Sequence, residues 1–281
     1  MTVRTAVITL AHGRHRHLSR QHEALAGSSL PADTYVVVAV NDPHIADGLP
    51  EPTPQPLITH LEAGAGTGLP LAAARNQGAR RALREAADVL VFLDVDCIPS
   101  GGLLHRYTRS LALTGGTGVH CGPVAYLPPA PADGYPVTGL ADLARPHPAR
   151  PAPLPGHVLL GGDEDYLLFW SLSFALTART WRTVGGFCED YTGYGGEDTD
   201  FGQLLRRSGV PLYWTGGATA FHQHHAVEDP PVRHLDSILR NAALFHRRWG
   251  WWPMEGWLQA FEALGMAHLE TRTGVWTRTA G

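Results

Sequence analysis

Lysine is absent from this 281-residue chain, so all 22 basic side chains are arginines. That excludes chemistry built on a lysine amine, including a P-loop and a Schiff base. Cysteine is scarce: Cys97, Cys121 and Cys188 stand far apart, with no CxxC pair and no disulfide framework, which fits a reducing compartment. Long apolar runs are missing too. No stretch approaches the ~20 apolar residues of a spanning helix. The apolar run near the N-terminus is too short for a signal segment and passes into His and Arg. The expectation is a soluble, cytoplasmic protein with no transmembrane segment, for which peripheral membrane contact stays open. A basic excess is lacking as well: the net charge of -4 gives no general attraction to nucleic acid.

What is present is a globular composition, 44% hydrophobic and 17% charged, in a chain long enough to bury a sizeable core. The sixteen histidines are many, but most are scattered singly and read as surface or loop positions. Short apolar, β-branched runs at 5–10, 34–40, 57–61 and 89–93 read as strands. The stretches 18–26 and 71–87 read as helices, and 48–56 and 64–68 as a Pro-rich connection and a flexible turn. This alternation predicts an α/β fold with a mostly parallel central sheet flanked by helices. Ligands in such sheets bind at the carboxyl ends of strands, where Asp42 and Asp94 fall.

In the second half, 170–177 alternates like a strand, and 198–208 reads as a helix with Leu204 and Leu205 inward. Short strands follow at 212–214 and 219–221, then a helix at 232–249. The segment 127–155 holds many of the prolines and reads as a long surface loop, with a domain boundary as the alternative. The tail with Trp249, Trp251, Trp252 and Trp257 reads as a packed aromatic cover, or else as a membrane-edge or partner surface.

Three segments carry chemistry. VFLDVDC places Asp94 and Asp96 two residues apart at a strand end, which suits a hard divalent cation and phosphate oxygens. A solvated turn would also hold two acids. GGFCEDYTGYGGEDTD sets Glu197, Asp198 and Asp200 after Gly195 and Gly196, at the start of a helix. Capping explains acids there, but not the Gly-rich run with Tyr191 and Tyr194, which lets backbone and ligand approach closely. AFHQHH puts His222 and His224 on one face of an extended strand, with His225 pointing the other way. Imidazoles two apart suit a transition metal, as they also suit a plain polar strand end.

The order of these pieces resembles GT-A glycosyltransferases, especially the family 2 group, over most of residues 3 to 225. LAAARNQGARRA before VLVFLDVDC carries part of the likeness. The rest lies in VGGFCEDYTGYGGEDTDFGQLLRRSG, which is similar to the motif of galactosyltransferase-type enzymes. The resemblance implies a single GT-A domain over 1–281: a nucleotide-sugar half to about 125, an acceptor and catalytic half at about 156–228, and C-terminal helices at 229–281. It implies Asp42 at the base, Arg75 and Asn76 along the nucleotide, and Asp94 with Val95 near the ribose. Asp96 and His222 would hold Mn²⁺ or Mg²⁺, with His224 in reserve. Trp170, Gly195, Gly196 and Glu197 would meet the acceptor, and Asp198 would be the catalytic base. The expected activity is inverting, metal-dependent transfer from a nucleotide diphosphate sugar, a UDP-sugar, to a hydroxyl of a carbohydrate, lipid, peptide or small molecule. A nucleotidyltransferase is one rival, and a non-catalytic sugar- or partner-binding protein another.

Overall fold

Each apolar run of the first half becomes a strand whose alternate side chains feed opposite faces of one sheet. The computed structural model describes residues 3–47, 49, 55–64, 68–132 and 134–279; the connection expected at 48–56 and the turn at 64–68 lie partly outside them. The first half runs β1 (Thr5–Ala11), α1 (His15–Ala26), β2 (Thr34–Val40), β3 (Pro56–Leu61), α2 (Leu71–Arg84), β4 (Val89–Leu93), β5 (Cys97–Pro99), α3 (Leu103–Leu113), β6 (Val119–Cys121) and β7 (Val124–Tyr126). Then come α4 (Leu140–Leu143), β8 (Arg145–Pro146), β9 (Val158–Leu160), β10 (Ser173–Thr177), α5 (Ala178–Val184), α6 (Glu197–Arg207), β11 (Leu212–Thr215) and β12 (Ala220–His222). The chain closes with α7 (Leu235–Trp249), α8 (Glu255–Ala263) and the antiparallel pair β13 (Ala267–Glu270) and β14 (Val275–Arg278).

The central sheet has eight strands in the order β3-β2-β1-β4-β10-β6-β11-β9. Strands β9 and β10 run against the other six, so the sheet is mostly parallel. A second sheet, β5-β12-β7-β8, lies past the end of β4 in the chain and brings residues 97 and 222 together. One core packs Ile8, Val36, Val38, Leu90 and Phe92 against α2, α5 and α6. The other packs Val7, Val37 and Val91 against α1 and α3. The C-terminal helices close on a third cluster around Ile238, Phe261 and Trp276.

Three expectations change. The strand expected over 170–177 begins at Ser173, leaving Trp170 in the turn before it. The segment 127–155 is not wholly irregular: it holds α4, and β8 pairs with β7. A two-residue pairing among prolines is too short to leave a period in the sequence. Leu205 is fully buried as expected, but Leu204 is partly exposed. The tail is largely a cover, with Trp252 stacked on His246 at 4.2 Å and Trp257 on Tyr194 at 5.7 Å, while Trp251 is exposed. Among the described residues no helix is long and apolar enough to cross a membrane.

Gly78 is what lets α2 lie directly on the sheet: an added Cβ would collide with Ile8 Cγ2 and come within 3.1 Å of Val38 Cγ2. Gly78→Ala therefore lowers stability by about 1–3 kcal/mol through overpacking, more than the ~1 kcal/mol gained in helix propensity. Urea unfolding of the two proteins measures this.

His120 is fully buried between the Thr114 and Thr215 hydroxyls, and burial pushes its pKa down to about 4. A depressed folded pKa means the unfolded chain binds the extra proton first. Stability from this group is thus whole above pH 6.5 and lost as pH falls toward 4. Between pH 7 and 5, wild type should lose about 2 kcal/mol more than His120→Asn, read from urea midpoints.

Candidate active site

The sheet delivers its carboxylates by ending. β4 stops at Leu93, and the chain turns at once, with Cys97 N–H donating to the Asp94 carbonyl at 2.9 Å. The turn is held from behind by Gln21, whose Nε2 donates to the carbonyls of Asp94 (2.7 Å) and Cys97 (2.9 Å). Gln21 Oε1 accepts from the Thr9 and Tyr35 hydroxyls, so every polar atom of this fully buried amide is used. Sequence reasoning missed Gln21. Its signal is a polar residue on the inward stripe of α1, between Leu18 and Leu25.

Opposite this turn stands the first turn of α6. Gly195 and Gly196 lead into it with φ of 88° and 92°, and an added Cβ would meet Met254 Sδ at 2.7 Å and Tyr191 at 3.0 Å respectively. Packing inside the protein accounts for both glycines, which were expected to contact substrate. Asn241 pins the same loop, its Nδ2 donating to the carbonyls of Thr192, Tyr194 and Gly195. Asn241 was also missed; it is a polar residue on the apolar stripe of α7.

The acids of α6 then divide. Asp200 is fully buried and accepts from Arg248 Nε and Trp249 Nε1, both at 2.6 Å, and from the Tyr191 hydroxyl at 3.2 Å. It fastens α7 to α6. Glu197 and Asp198 face Arg75 of α2 instead. The buried guanidinium lies 3.3 Å from Asp94 Oδ1, 3.6 Å from Glu197 Oε1 and 3.9 Å from Asp198 Oδ1. It also lies over the Phe187 ring at 5.3 Å. Burial works against its charge, but Asp94, Asp198 and Glu197 outweigh that and raise its pKa. Asp94 is pushed up to about 7, first by burial, with Arg75 opposing and Asp96 and Asp198 adding to the rise. Burial and the charge of Asp198 raise Glu197 as well, again against Arg75. Asp198 Oδ2 accepts from the Ser171 backbone N–H at 3.0 Å, next to the half-buried Trp170.

Asp96 forms a second cluster with two histidines. His222 Nε2 lies 3.6 Å from Oδ1 and His225 Nε2 3.5 Å from Oδ2. One ligand atom from each of the three residues lies within 4.8 Å of the others. One carboxylate oxygen and two imidazole nitrogens form a donor set that fits a divalent transition metal. Burial opposes ionisation of Asp96, but the His225 hydrogen bond and the charges of His222 and Arg14 outweigh it and hold its pKa below the usual range. Burial lowers the pKa of His222, with the charge of Asp96 opposing.

Two expected residues lie elsewhere. β12 ends at His222, so strand alternation stops there; His224 is exposed, and His225 turns in toward Asp96 in its place. Asn76 is bonded within the protein. Its side chain is taken up by the Phe187 backbone N–H and carbonyl and by Glu189. Asp42 organises the loop after β1, accepting from Gly13 N–H at 2.9 Å with His15 Nε2 at 3.0 Å. Val95 packs against the core beneath α1 and α3.

A family model described as the N-terminal domain of galactosyltransferase matches residues 160–226, which contain Trp170, the α6 acids and His222. Two validoxylamine A glucosyltransferases, from Streptomyces hygroscopicus subsp. jinggangensis (strain 5008) and subsp. limoneus, are each 34% identical over 87 residues, 30% of this chain. The match spans 19% and 18% of those relatives, so the chain covers under a fifth of their length. Among solved structures, GalNAc-T7 with UDP, GalNAc and Mn²⁺ aligns over 79% of this chain and 44% of its own (TM-score 0.52, 16% identity). TarS of S. aureus aligns over 86% and 39% (TM-score 0.52, 12% identity).

Titrating Mn²⁺ against single variants tests the second cluster. His222→Ala and His225→Ala should each weaken binding at least about tenfold, and His224→Ala should stay within about twofold of wild type. Loss in His224→Ala with His225→Ala unchanged would return the role to His224.

Proposed function

We propose that this chain, which has the GT-A fold of those neighbours, is a glycosyltransferase that moves a sugar from a nucleotide diphosphate sugar to an acceptor hydroxyl. The observation that carries the reading is Arg75. One buried guanidinium joins the carboxylate at the end of β4 to the acids that open α6, beside the Asp96, His222 and His225 cluster. The donor half is then residues to about 125, the acceptor half about 156–228, and residues 229–281 the cover. The donor is a UDP-sugar. Asp42 borders the base, and Asp94 lies toward the ribose.

Asp96, His222 and His225 are the residues that would hold Mn²⁺ or Mg²⁺, and that ion would supply positive charge against the departing diphosphate. Asp198 keeps its side chain 27% exposed and takes the acceptor proton. Glu197 sits deeper, and its raised pKa suits it to share a hydrogen bond with the acceptor. Ser171 N–H fixes the Asp198 carboxylate. A single displacement inverts the anomeric carbon.

The test is release of UDP from UDP-glucose, UDP-galactose and UDP-GalNAc, with Mn²⁺ and with or without validoxylamine A, alongside the Mn²⁺-dependent thermal shift given by UDP. Wild type showing neither shift nor release would overturn the function. In Asp198→Asn, turnover should fall at least about a hundredfold while the UDP shift is kept. Asp198 lies in the first turn of α6 behind the Gly196 cap, 3.9 Å from Arg75, and Asn keeps an oxygen for Ser171 N–H, so the retained UDP shift is the check that the variant is folded. Near-normal turnover would move the base to Glu197.

A further inference from the structure

Arg150 is buried, with 7% of its surface exposed; no carboxylate lies within 4.0 Å of it among the described residues, and the side chain that hydrogen-bonds it is Cys121, whose sulfur is a weak acceptor. Its surroundings are aromatic. The guanidinium lies 5.0 Å from the centroid of Trp214 and 5.1 Å from that of Trp170, with the Cys121 thiol beside it. The two indoles differ. Trp214 is buried on β11, and its Nε1 donates to Asp165 Oδ1 at 2.9 Å, so its plane is fixed. Trp170 is half-buried and outside any strand, in the turn that carries Ser171 N–H to Asp198. A second residue of the same Pro-rich segment, His147, meets the Trp170 ring edge-on at 4.8 Å. His147 also faces Tyr126 at 5.7 Å, and Tyr126 packs on His222 at 4.8 Å.

We propose that Arg150 and His147 are positioning residues that hold Trp170 at the acceptor side of the site, Arg150 by stacking it against the fixed indole of Trp214 and His147 by closing its edge. A planar guanidinium can stack flat on aromatic faces, whereas an ammonium meets a ring only as a point charge and an aliphatic chain carries no charge at all. The turn that presents the pair is stiffened by Pro146, Pro148 and Pro151 and closed by Arg150 N–H donating to the His147 carbonyl at 3.2 Å. The proposal rests on the glycosyltransferase reading for its kinetic consequence, but not for the orientation of Trp170.

Two measurements separate these. The protein labelled with 5-fluorotryptophan gives ¹⁹F resonances that single Trp→Phe variants assign. Arg150→Met and Arg150→Lys should shift or broaden the Trp170 signal and leave Trp251 and Trp257 unmoved, and His147→Ala should affect Trp170 while sparing Trp214. An unmoved Trp170 signal in both Arg150→Lys and His147→Ala overturns the proposal, whether or not the protein has activity. Kinetics with UDP-glucose and validoxylamine A, or whichever of the tested donors wild type uses, should show the acceptor KM raised about tenfold in Arg150→Met and Arg150→Lys. Donor KM and UDP release to water should stay within twofold. Equal loss in transfer and hydrolysis, or a changed Mn²⁺ affinity with an unchanged acceptor KM, would also overturn it. His147→Ala removes a partly exposed ring, so it keeps the test open should the Arg150 variants fold poorly. Wild type without UDP release or UDP shift would instead sink the glycosyltransferase reading and leave the ¹⁹F result standing.

Discussion

One guanidinium makes the rest of this site possible. Asp94, Glu197 and Asp198 come from segments about a hundred residues apart, and their charges repel each other. Arg75, fixed on the buried face of α2, is the countercharge all three share. Breaking a buried pair by removing one partner typically costs about 3–5 kcal/mol, since the other charge is left stranded. Arg75 draws the pKa of Asp94 and of Glu197 down, but burial outweighs it. Asp94 and Glu197 both hold protons to higher pH than usual, while Arg75 is held more firmly charged.

Around that hub, buried amides set the loops. Gln21 holds the turn after β4 through two backbone carbonyls, and Asn241 holds the glycine loop before α6 through three. Each uses side-chain donors on carbonyls that helix and sheet ladders leave unpaired. Asp200 does the corresponding work for the C-terminal cover by accepting from Arg248 and Trp249. Adjacent acids on one helix thus serve different ends: Asp200 faces the cover, while Glu197 and Asp198 face the site.

The strands and the acid-bearing turns were legible because apolar runs and the residues that stop them are local signals. Val89 to Leu93 running into Asp94 is such a case. What local pattern could not supply was the partner. Asn76 sits one residue from Arg75 and looked equivalent, yet the helix turns it toward Phe187 and Glu189. The His222, His224 and His225 triplet was read as a continuing strand. β12 ends at His222, so the period-2 rule no longer applied one residue later. Glycine weakens a helix by propensity, yet the missing side chain of Gly78 is what seats α2 on Ile8 and Val38.

The segment between β7 and β9 leaves from beside one sheet edge and returns at another: β8 is the outer strand of the small sheet and β9 the outer strand of the large one. Neither strand is hydrogen-bonded on its far side within these sheets, so the excursion can change in length or content without altering a register anywhere else. Doubling such a loop costs only about 0.6 kcal/mol in closure entropy. The fold therefore keeps its charged centre in the shared framework of β4, α2 and α6, and leaves the surroundings of Trp170 on an exchangeable part. A change in this piece would alter what surrounds Trp170 while leaving the balance of charges around Arg75 untouched.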